Sequence, residues 1–198
     1  MKKLILSILF IFISISTFAL NDGIVIELKG KGDYKLSEKS KWQKIKIGSI
    51  IREDSIISTS VNTNIKIKLD NDSIIKIGSL TQIKFDKLEI SNLPGKDNTN
   101  KVDLKLKVGT IKVEVKKAKD VKTSFQVKTP KGSASVRGTI IEVSYSQDIG
   151  MNIECFSGIV DIQNLNGQTL TLEKNEITNV TNNIEMINEQ ERSEERRV

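Results

Sequence analysis

The sequence predicts an all-β domain, folded as a curled β-roll or a solenoid-like sandwich of many short strands and preceded by a signal peptide. Three observations in the 198 residues favour this fold. Apolar and polar residues alternate with a period of two, turn-forming residues recur at short intervals, and the apolar positions change parity at two glycines. The first two observations indicate strands, and the third indicates that the sheet bends rather than lying flat.

The first 19 residues have the composition of a secretory signal peptide. Lys2 and Lys3 form a short positive region, residues 4–18 are mostly apolar, and Thr17-Phe18-Ala19 is similar to the small-residue pattern before a cleavage site. The alternative is a retained anchor, because the apolar run through Leu20 is at the lower limit of the length that spans a bilayer. We therefore expect a periplasmic or otherwise extracytoplasmic protein, with membrane contact only through this segment if it is not cleaved.

Two segments, 65–69 and 102–108, alternate strictly between apolar and charged residues. Ile, Leu and Val suit a half-buried pleated surface, and the lysines between them suit a solvated one. We interpret the lysines at positions 66, 68, 105 and 107 as a solvated sheet face, and the alternative is a dedicated site for a polyanion. No aromatic residues interleave with these lysines to stack on single-stranded nucleic acid.

Gly109 and Gly158 mark positions where the inward face of a strand changes parity. Apolar residues occupy even positions from 102 to 108 and odd positions from Ile111 onward, and a similar change separates Cys155 from Val160. A glycine at such a break lets a strand bend or bulge so that both flanks face one core. Cys155 is predicted to be a small buried residue, and the alternative is a reactive thiol or an intermolecular disulfide.

The segment that follows Pro130 is predicted to be a loop. Proline cannot donate a hydrogen bond to a sheet, so it marks the end of a strand in which Thr129 is extended. Residues 131–135 are small and polar. We interpret them as a surface turn before the next strand, and the alternative is a loop that contacts a ligand.

The residue inventory excludes several classes of function. The chain has no histidine and one cysteine, so it lacks the residues for a His/Cys zinc site, a histidine haem ligand, a Cys-His or Ser-His-Asp nucleophile or an internal disulfide. Carboxylates are the only conceivable catalytic set, and turn chemistry explains Asp70 and Asp72. We predict no catalytic residue, metal or cofactor, and hence no enzyme. The net charge of +6 does not point to nucleic acid in an exported protein.

The order of several short motifs resembles the FecR domain family. Thr129-Pro130-Lys131-Gly132 followed by Val136-Arg137-Gly138-Thr139 resembles the family signature, a TP-x-G segment that leads into a VRGT strand. Further segments resemble family motifs in the expected order, namely 48–59, 65–77, 106–113 and 155–160. The resemblance covers about residues 45–180 and implies a β-rich extracytoplasmic domain. We therefore predict a signal peptide (1–19) and a charged C-terminal tail (185–198) from their composition, with a FecR-like domain (20–184) between them.

The family-motif residues are expected to have structural roles: Gly109, Thr129, Pro130, Gly132, Arg137, Gly138, Thr139 and Gly158. We expect Arg137 to be held against the preceding turn, where its guanidinium can bond backbone carbonyls or a carboxylate. The alternative for Arg137 is ligand binding. Gly138 permits a close backbone approach, and Thr139 suits strand geometry.

The resemblance implies a non-enzymatic binding, sensing or adaptor module of the bacterial cell envelope. It is similar to the periplasmic part of FecR-type regulators, but no cytoplasmic segment for a sigma factor is expected before the signal. The expected partner is another envelope protein, bound through a sheet edge or the 131–135 loop. The alternative is a structural envelope module whose lysines at 66, 68, 105 and 107 contact a cell-wall polymer.

Overall fold

A computed structural model describes residues 22–90, 99–116 and 122–187 of the chain. Within these residues the protein is all-β, which confirms the predicted fold class, and no helix of membrane-spanning length is present among them. The predicted signal peptide and residues 188–198 of the predicted tail lie outside the described residues. The strands are β1 Gly23–Lys29, β2 Gly32–Lys35, β3 Gln43–Lys44, β4 Ile50–Ile51, β5 Ile56–Thr59, β6 Asn64–Leu69, β7 Ile74–Ile77, β8 Gln82–Glu89, β9 Thr99–Glu114, β10 Lys122–Thr129, β11 Gly132–Val136, β12 Ile140–Ser146, β13 Gly150–Ser157, β14 Val160–Asn164, β15 Thr169–Leu172, β16 Ile177–Val180 and β17 Ile184–Met186.

The strands form one continuous sheet that folds into two layers. In the first layer the order is β4, β1, β6, β7, the second half of β9, β12, β13, β16 and β17. In the second layer the order is β3, β2, β5, β8, the first half of β9, β10, β11, β14 and β15. The chain passes repeatedly from one layer to the other, which gives the solenoid-like sandwich.

Strand β9 belongs to both layers because it bends at Gly109. Before the bend it pairs with β8 and β10, and after the bend it pairs with β7 and β12. It is the only described strand that pairs with strands from both the N-terminal part, β1–β8, and the C-terminal part, β10–β17. Its pairing with β10 is parallel, whereas the other strand pairs are antiparallel.

The parity change predicted at Gly109 is the point where β9 changes layer. Leu104 and Leu106 are fully buried before the bend, and Ile111 and Val113 are fully buried after it. Val108 departs from the predicted alternation, because it lies at the bend itself and its side chain is exposed. The change at Gly158 likewise lies between β13 of the first layer and β14 of the second. Both glycines therefore mark crossings between layers.

Buried threonine hydroxyls replace the backbone partners that the chain loses where it leaves a layer. Lys31 N–H donates to Thr63 Oγ1 over 3.0 Å, and that hydroxyl donates to the Lys31 carbonyl over 2.8 Å. Thr81 N–H donates to Thr59 Oγ1 over 2.8 Å, and Thr110 N–H donates to Thr81 Oγ1 over 3.0 Å. Because buried backbone groups without partners are costly, these bonds hold neighbouring crossings together.

The segment predicted to be a loop after Pro130 is instead a strand, β11. The turn contains only Pro130 and Lys131, and Gly132–Val136 pairs with β10 on one side and β14 on the other. Ala134 faces the core while Ser133 and Ser135 face outward, so the alternation exists but small side chains conceal it. The loop prediction was wrong because alternation between residues of similar size gives a weak periodic signal.

The lysines that alternate in the sequence lie on two different faces. Lys66 and Lys68 belong to β6 in the first layer, whereas Lys105 and Lys107 belong to β9 in the second. The two layers turn their inner faces toward one core, so the outer faces point in opposite directions. The four lysines therefore do not form one surface.

Cys155 is fully buried, as predicted, on the inward face of β13. Its Sγ atom donates a hydrogen bond to the Gly158 carbonyl over 3.5 Å. Burial raises the pKa of the Cys155 thiol above its ordinary value, because the charged thiolate is poorly solvated in the core.

We predict that replacing Gly109 with alanine destabilises the domain by about 2–5 kcal/mol, because left-handed backbone strain adds to overpacking. The φ angle of Gly109 is +99°, and a Cβ atom there would lie 2.5 Å from Thr81 Cα. Gly167→Ala is the matched control: its φ is +80°, but nothing lies within 4 Å of the added Cβ. Chemical denaturation measures both variants, and equal losses would show that the Gly109 contact is unimportant.

We predict that the Cys155 thiol of the folded protein does not react with a thiol reagent at pH 8 within minutes. Its reaction should follow the opening of the domain and become complete in denaturant, since burial both blocks access and disfavours the thiolate. A cysteine introduced at the exposed position of Leu80 is the control and should react at once. Immediate reaction of one thiol in the unmodified folded protein would contradict this prediction.

Candidate functional site

A surface cleft of about 500 Å³ lies where the chain crosses between layers after β11 and after β13. The side chains of Phe125 and Val136 are buried at its floor, and Arg137, Ile159 and Asp161 are exposed around it. An apolar floor with a cationic and an anionic side chain at the rim is typical of a binding site for a macromolecular or organic ligand.

The two crossings at this cleft pack directly against each other. Gly138 and Gly158 both have positive φ angles, +68° and +86°. A Cβ atom on Gly158 would overlap Thr139 Cγ2 and lie 3.2 Å from the Gly138 carbonyl oxygen. Thr139 is buried beneath them, and its carbonyl accepts a hydrogen bond from Val115 N–H over 2.9 Å. The VRGT segment and the later glycine therefore build one tightly packed corner.

Arg137 makes no hydrogen bond or ion pair with any other residue that the structure describes. Its side chain is exposed, so the predicted anchoring to the preceding turn is not observed among these residues. The turn that contains Pro130 lies at the far end of β11, which explains why Arg137 does not contact it. The guanidinium is available at the cleft for a carboxylate or a carbonyl from outside.

The cleft continues as a groove along the outer face of β11. A second depression of about 380 Å³ shares Ser135 and Asp161 with the cleft, and a third of about 380 Å³ shares Ser133 and Gln163 with the second. The groove exists because the outward side chains of β11 are two serines, while those of the neighbouring strands β10 and β14 are longer. We call this surface the β11 groove.

The β11 groove has the length and polarity for an extended segment. The five residues of β11 span roughly 17 Å at the usual rise of a strand. Along it, Gln126 Nε2 donates to Ser135 Oγ over 3.3 Å, and Thr171 Oγ1 donates to Asp161 Oδ1 over 2.9 Å. Its walls offer hydroxyl, amide and carboxylate groups that can exchange these bonds for bonds to a ligand.

The two halves of the family motif lie at opposite ends of this groove. Arg137 and Gly138 line one end, and Thr129 and Gly132 line the other. Thr129 Oγ1 accepts a hydrogen bond from Lys131 N–H over 3.2 Å, which closes the turn around Pro130. A Cβ atom on Gly132 would lie 2.5 Å from the Gln163 carbonyl oxygen, so glycine permits the close pairing of β11 with β14.

Gly109 lies apart from the groove, at the bend of β9, and packs against Thr81. Ser133 and Ser135 belong to the 131–135 segment that the sequence offered as a possible ligand contact, whereas Asp161, Gln163 and the exposed Ile159 were not identified as site residues from the sequence. The Ser-Ala-Ser run from 133 to 135 was the available signal for the groove, since small outward side chains between two strands with longer side chains leave a depression. Among the described residues, no three carboxylate or cysteine side chains lie close enough together to hold a metal ion.

Comparison with solved structures shows the same fold in another protein. Two crystal structures from Parabacteroides distasonis ATCC 8503, described as a "putative anti-sigma factor", match with TM-scores of 0.53 and 0.54 at 20% sequence identity. The match covers 68% of this chain but only 59% of that one. The chain thus corresponds to little more than half of the related structure. A search of curated protein sequences gave no significant match.

Comparison with family models agrees with the motifs in the sequence. The model described as FecR protein matches residues 55–161, which include β5 to β13, the VRGT corner and the start of β14. The matched segment is more than half of the 198 residues. It also contains the TP-x-G turn, the bend at Gly109 and all of β11. The chain therefore belongs to the FecR protein family.

Proposed function

We propose that the chain is an exported, non-enzymatic sensing or adaptor module of the bacterial envelope, which binds an extended, carboxylate-bearing segment of another envelope protein in the β11 groove. Membership of the FecR family and the anti-sigma description of the structural relative support a regulatory binding role. The signal-like composition of residues 1–19 supports export.

The observation that carries this proposal is Arg137, which lies at the mouth of the β11 groove and forms no ion pair with any residue that the structure describes. An exposed arginine without a counter-ion can form a bidentate pair with a carboxylate, which adds geometric specificity to binding. Ile159, 56% exposed beside it, offers apolar surface to the same ligand. Arginine and large apolar residues around a cleft are enriched where proteins bind proteins.

The distribution of lysines favours a protein partner over a cell-wall polymer. Lys66 pairs with Glu27 over 3.3 Å and Lys68 pairs with Asp72 over 2.7 Å on the first layer. Lys105 and Lys107 are exposed on the second layer and form no ion pair with a carboxylate that the structure describes, so two lysines of this set share one face without counter-ions. A polymer that bound through lysine charge would need several unpaired lysines on one face, and this set does not provide them.

Site-specific photo-crosslinking in the native host tests the proposal directly. A photoreactive amino acid placed at Ser133 or at Ile159 should capture one envelope protein, identified by mass spectrometry, and the mature N-terminus can be read from the same sample. Placement at Lys66, on the outer face of the first layer, is the control and should capture little of it. Capture of cell-wall fragments alone, or equal capture from Lys66, would overturn the proposal.

We predict that Arg137→Gln weakens binding of the captured partner roughly tenfold, because a hydrogen-bonded charge contributes about 1.5–3 kcal/mol. The free energy of unfolding should change by less than about 0.5 kcal/mol, since the side chain is exposed and has no partner within 22–90, 99–116 and 122–187. Binding is measured with the purified partner, and unfolding with denaturant.

Arg52→Gln is the matched control for Arg137→Gln. Arg52 Nε pairs with Asp22 Oδ1 over 3.1 Å and lies outside the β11 groove. This variant should leave partner binding unchanged. If instead Arg137→Gln lowers stability as much as it lowers affinity, the role of Arg137 is structural and the assignment of the groove is wrong.

A further inference from the structure

We propose that one edge of the sandwich binds the surface of an anionic lipid bilayer, with single apolar side chains at the tips of its turns inserted among the headgroups. We call this the Gly109 edge and define it by the turns at 60–63, 78–81, 107–110, 146–149 and 164–167. It is a different surface from the cleft at Arg137, although Leu165 also lines the far end of the β11 groove, and the proposal does not depend on the proposed function.

The turns lie together because of the register of the strands between them. Leu80 N–H donates to the Ser60 carbonyl over 3.3 Å, and Gly78 N–H donates to the Thr110 carbonyl over 2.9 Å. Tyr145, near the end of β12, is paired with Gly109 of β9. The parallel pairing of β9 with β10 brings the end of β10 to the same edge, and the pairings of β10 with β11 and of β11 with β14 bring the turn at 164–167 there.

Each of these turns exposes one large apolar side chain. The exposed fractions are 63% for Val61, 60% for Leu80, 43% for Val108, 58% for Ile149 and 74% for Leu165. Three of them, Leu80, Val108 and Ile149, surround one depression of about 280 Å³. Single exposed apolar residues are common on any surface, but five of them at turns of one edge mark an interaction surface. The turns at 30–31, 130–131 and 181–183 of the same edge carry glycine, proline or polar residues instead.

The residues that flank these tips suit the headgroup region of a bilayer rather than a dry protein interface. Val61 lies between Ser60 and Asn62, and Leu165 lies between Asn164 and Asn166. Short polar side chains and solvated backbone can remain among headgroups while the apolar tip enters the acyl boundary. The buried threonine hydroxyls behind the turns hold the tips in place, so little conformational freedom is lost on binding.

The charge of the Gly109 edge is complementary to an anionic membrane. Lys31, Lys107 and Lys131 lie at or beside its turns, and none of them forms an ion pair with a carboxylate that the structure describes. Asp148 is the acidic residue within the turns that define the edge. Each lysine near an anionic bilayer contributes about 1 kcal/mol of attraction.

The described part of the opposite edge carries carboxylates beside its cations, Arg52 and Arg137. Asp22 N–H donates to Asp70 Oδ2 over 3.1 Å where β1 begins and β6 ends, and Asp72 lies in the turn that follows. Carboxylates there would be repelled by an anionic bilayer. The proposal therefore orients the protein at a membrane by the apolar tips and lysines of the Gly109 edge, with this edge toward the lipid and the Arg137 cleft away from it. The sequence had predicted membrane contact only through residues 1–19.

Fluorescent labels on introduced cysteines test this orientation in the full chain. Leu80→Cys and Ile149→Cys carry the label at the edge, Ile159→Cys carries it at the opposite edge, and buried Cys155 does not compete for it. On vesicles that contain phosphatidylglycerol, emission from the labels at 80 and 149 should shift to the blue, and emission from the label at 159 should not. Because residues 1–21 are the same in all three proteins, they cannot produce a difference between positions.

Substitutions test the energetics on the same vesicles. Leu80→Ser combined with Ile149→Ser should weaken partitioning at least roughly tenfold, since two large apolar side chains leave the interface. Ile24→Ser combined with Ile50→Ser, a pair opposed across β1 and β4 near the other edge, is the matched control and should change it little. Lys107→Ser and Lys131→Ser should each weaken partitioning about fivefold.

Three results would overturn the proposal. In the first, the labels at 80 and 149 stay solvated on anionic vesicles. In the second, the label at 159 shifts as much as they do. In the third, both substituted pairs weaken partitioning to the same extent. A shift at 80 and 149 that requires a purified envelope protein and not lipid would assign the edge to a protein partner instead. Capture of a partner through the β11 groove is a separate measurement, so the two proposals can fail independently.

Discussion

The backbone hydrogen bonds made by buried threonines at the crossings are the interaction on which the architecture depends. A chain that leaves a sheet loses its ladder partners, and buried polar groups without partners are costly. Here Thr59, Thr63 and Thr81 supply a hydroxyl at successive crossings, each in place of a lost backbone partner. Gly109 lets the bent strand approach Thr81 closely enough for this exchange. Stacked crossings of this kind fix the spacing of the layers and the positions of the turns at the edge.

Much of the fold could be predicted from the sequence because large aliphatic residues alternate with charged ones. The alternation identified β6 and β9, and the change of parity at Gly109 and Gly158 identified two crossings between layers. The sequence could not show that β9 is one strand of 16 residues shared by both layers. A strand that bends and a strand that ends before a new one begins both give the same change of parity in the apolar positions. It also could not show β11, where glycine, alanine and serine differ too little in size to give a periodic signal.

The candidate site was predictable only in part, because it depends on neighbours that are distant in sequence. The motif residues Arg137, Gly138 and Gly158 do meet at one corner, and local spacing gave no indication that residues 20 positions apart would pack together. The groove arises from a difference in side-chain length among β10, β11 and β14, which requires the strand order to be known. The TP-x-G and VRGT segments then lie at the two ends of one strand, β11, whose outer face lines the groove between them.

The position of β9 has a consequence for the order in which the domain assembles. Because β1–β8 pair only among themselves and with β9, the N-terminal part can complete both of its layers before β10 is synthesised. Strand β9 then presents one unpaired edge in each layer, and β10 and β12 add to these edges. The parallel β9–β10 pair cannot form as a hairpin, because it closes only after the second half of β9 has entered the first layer. Each later hairpin adds to a surface that already exists.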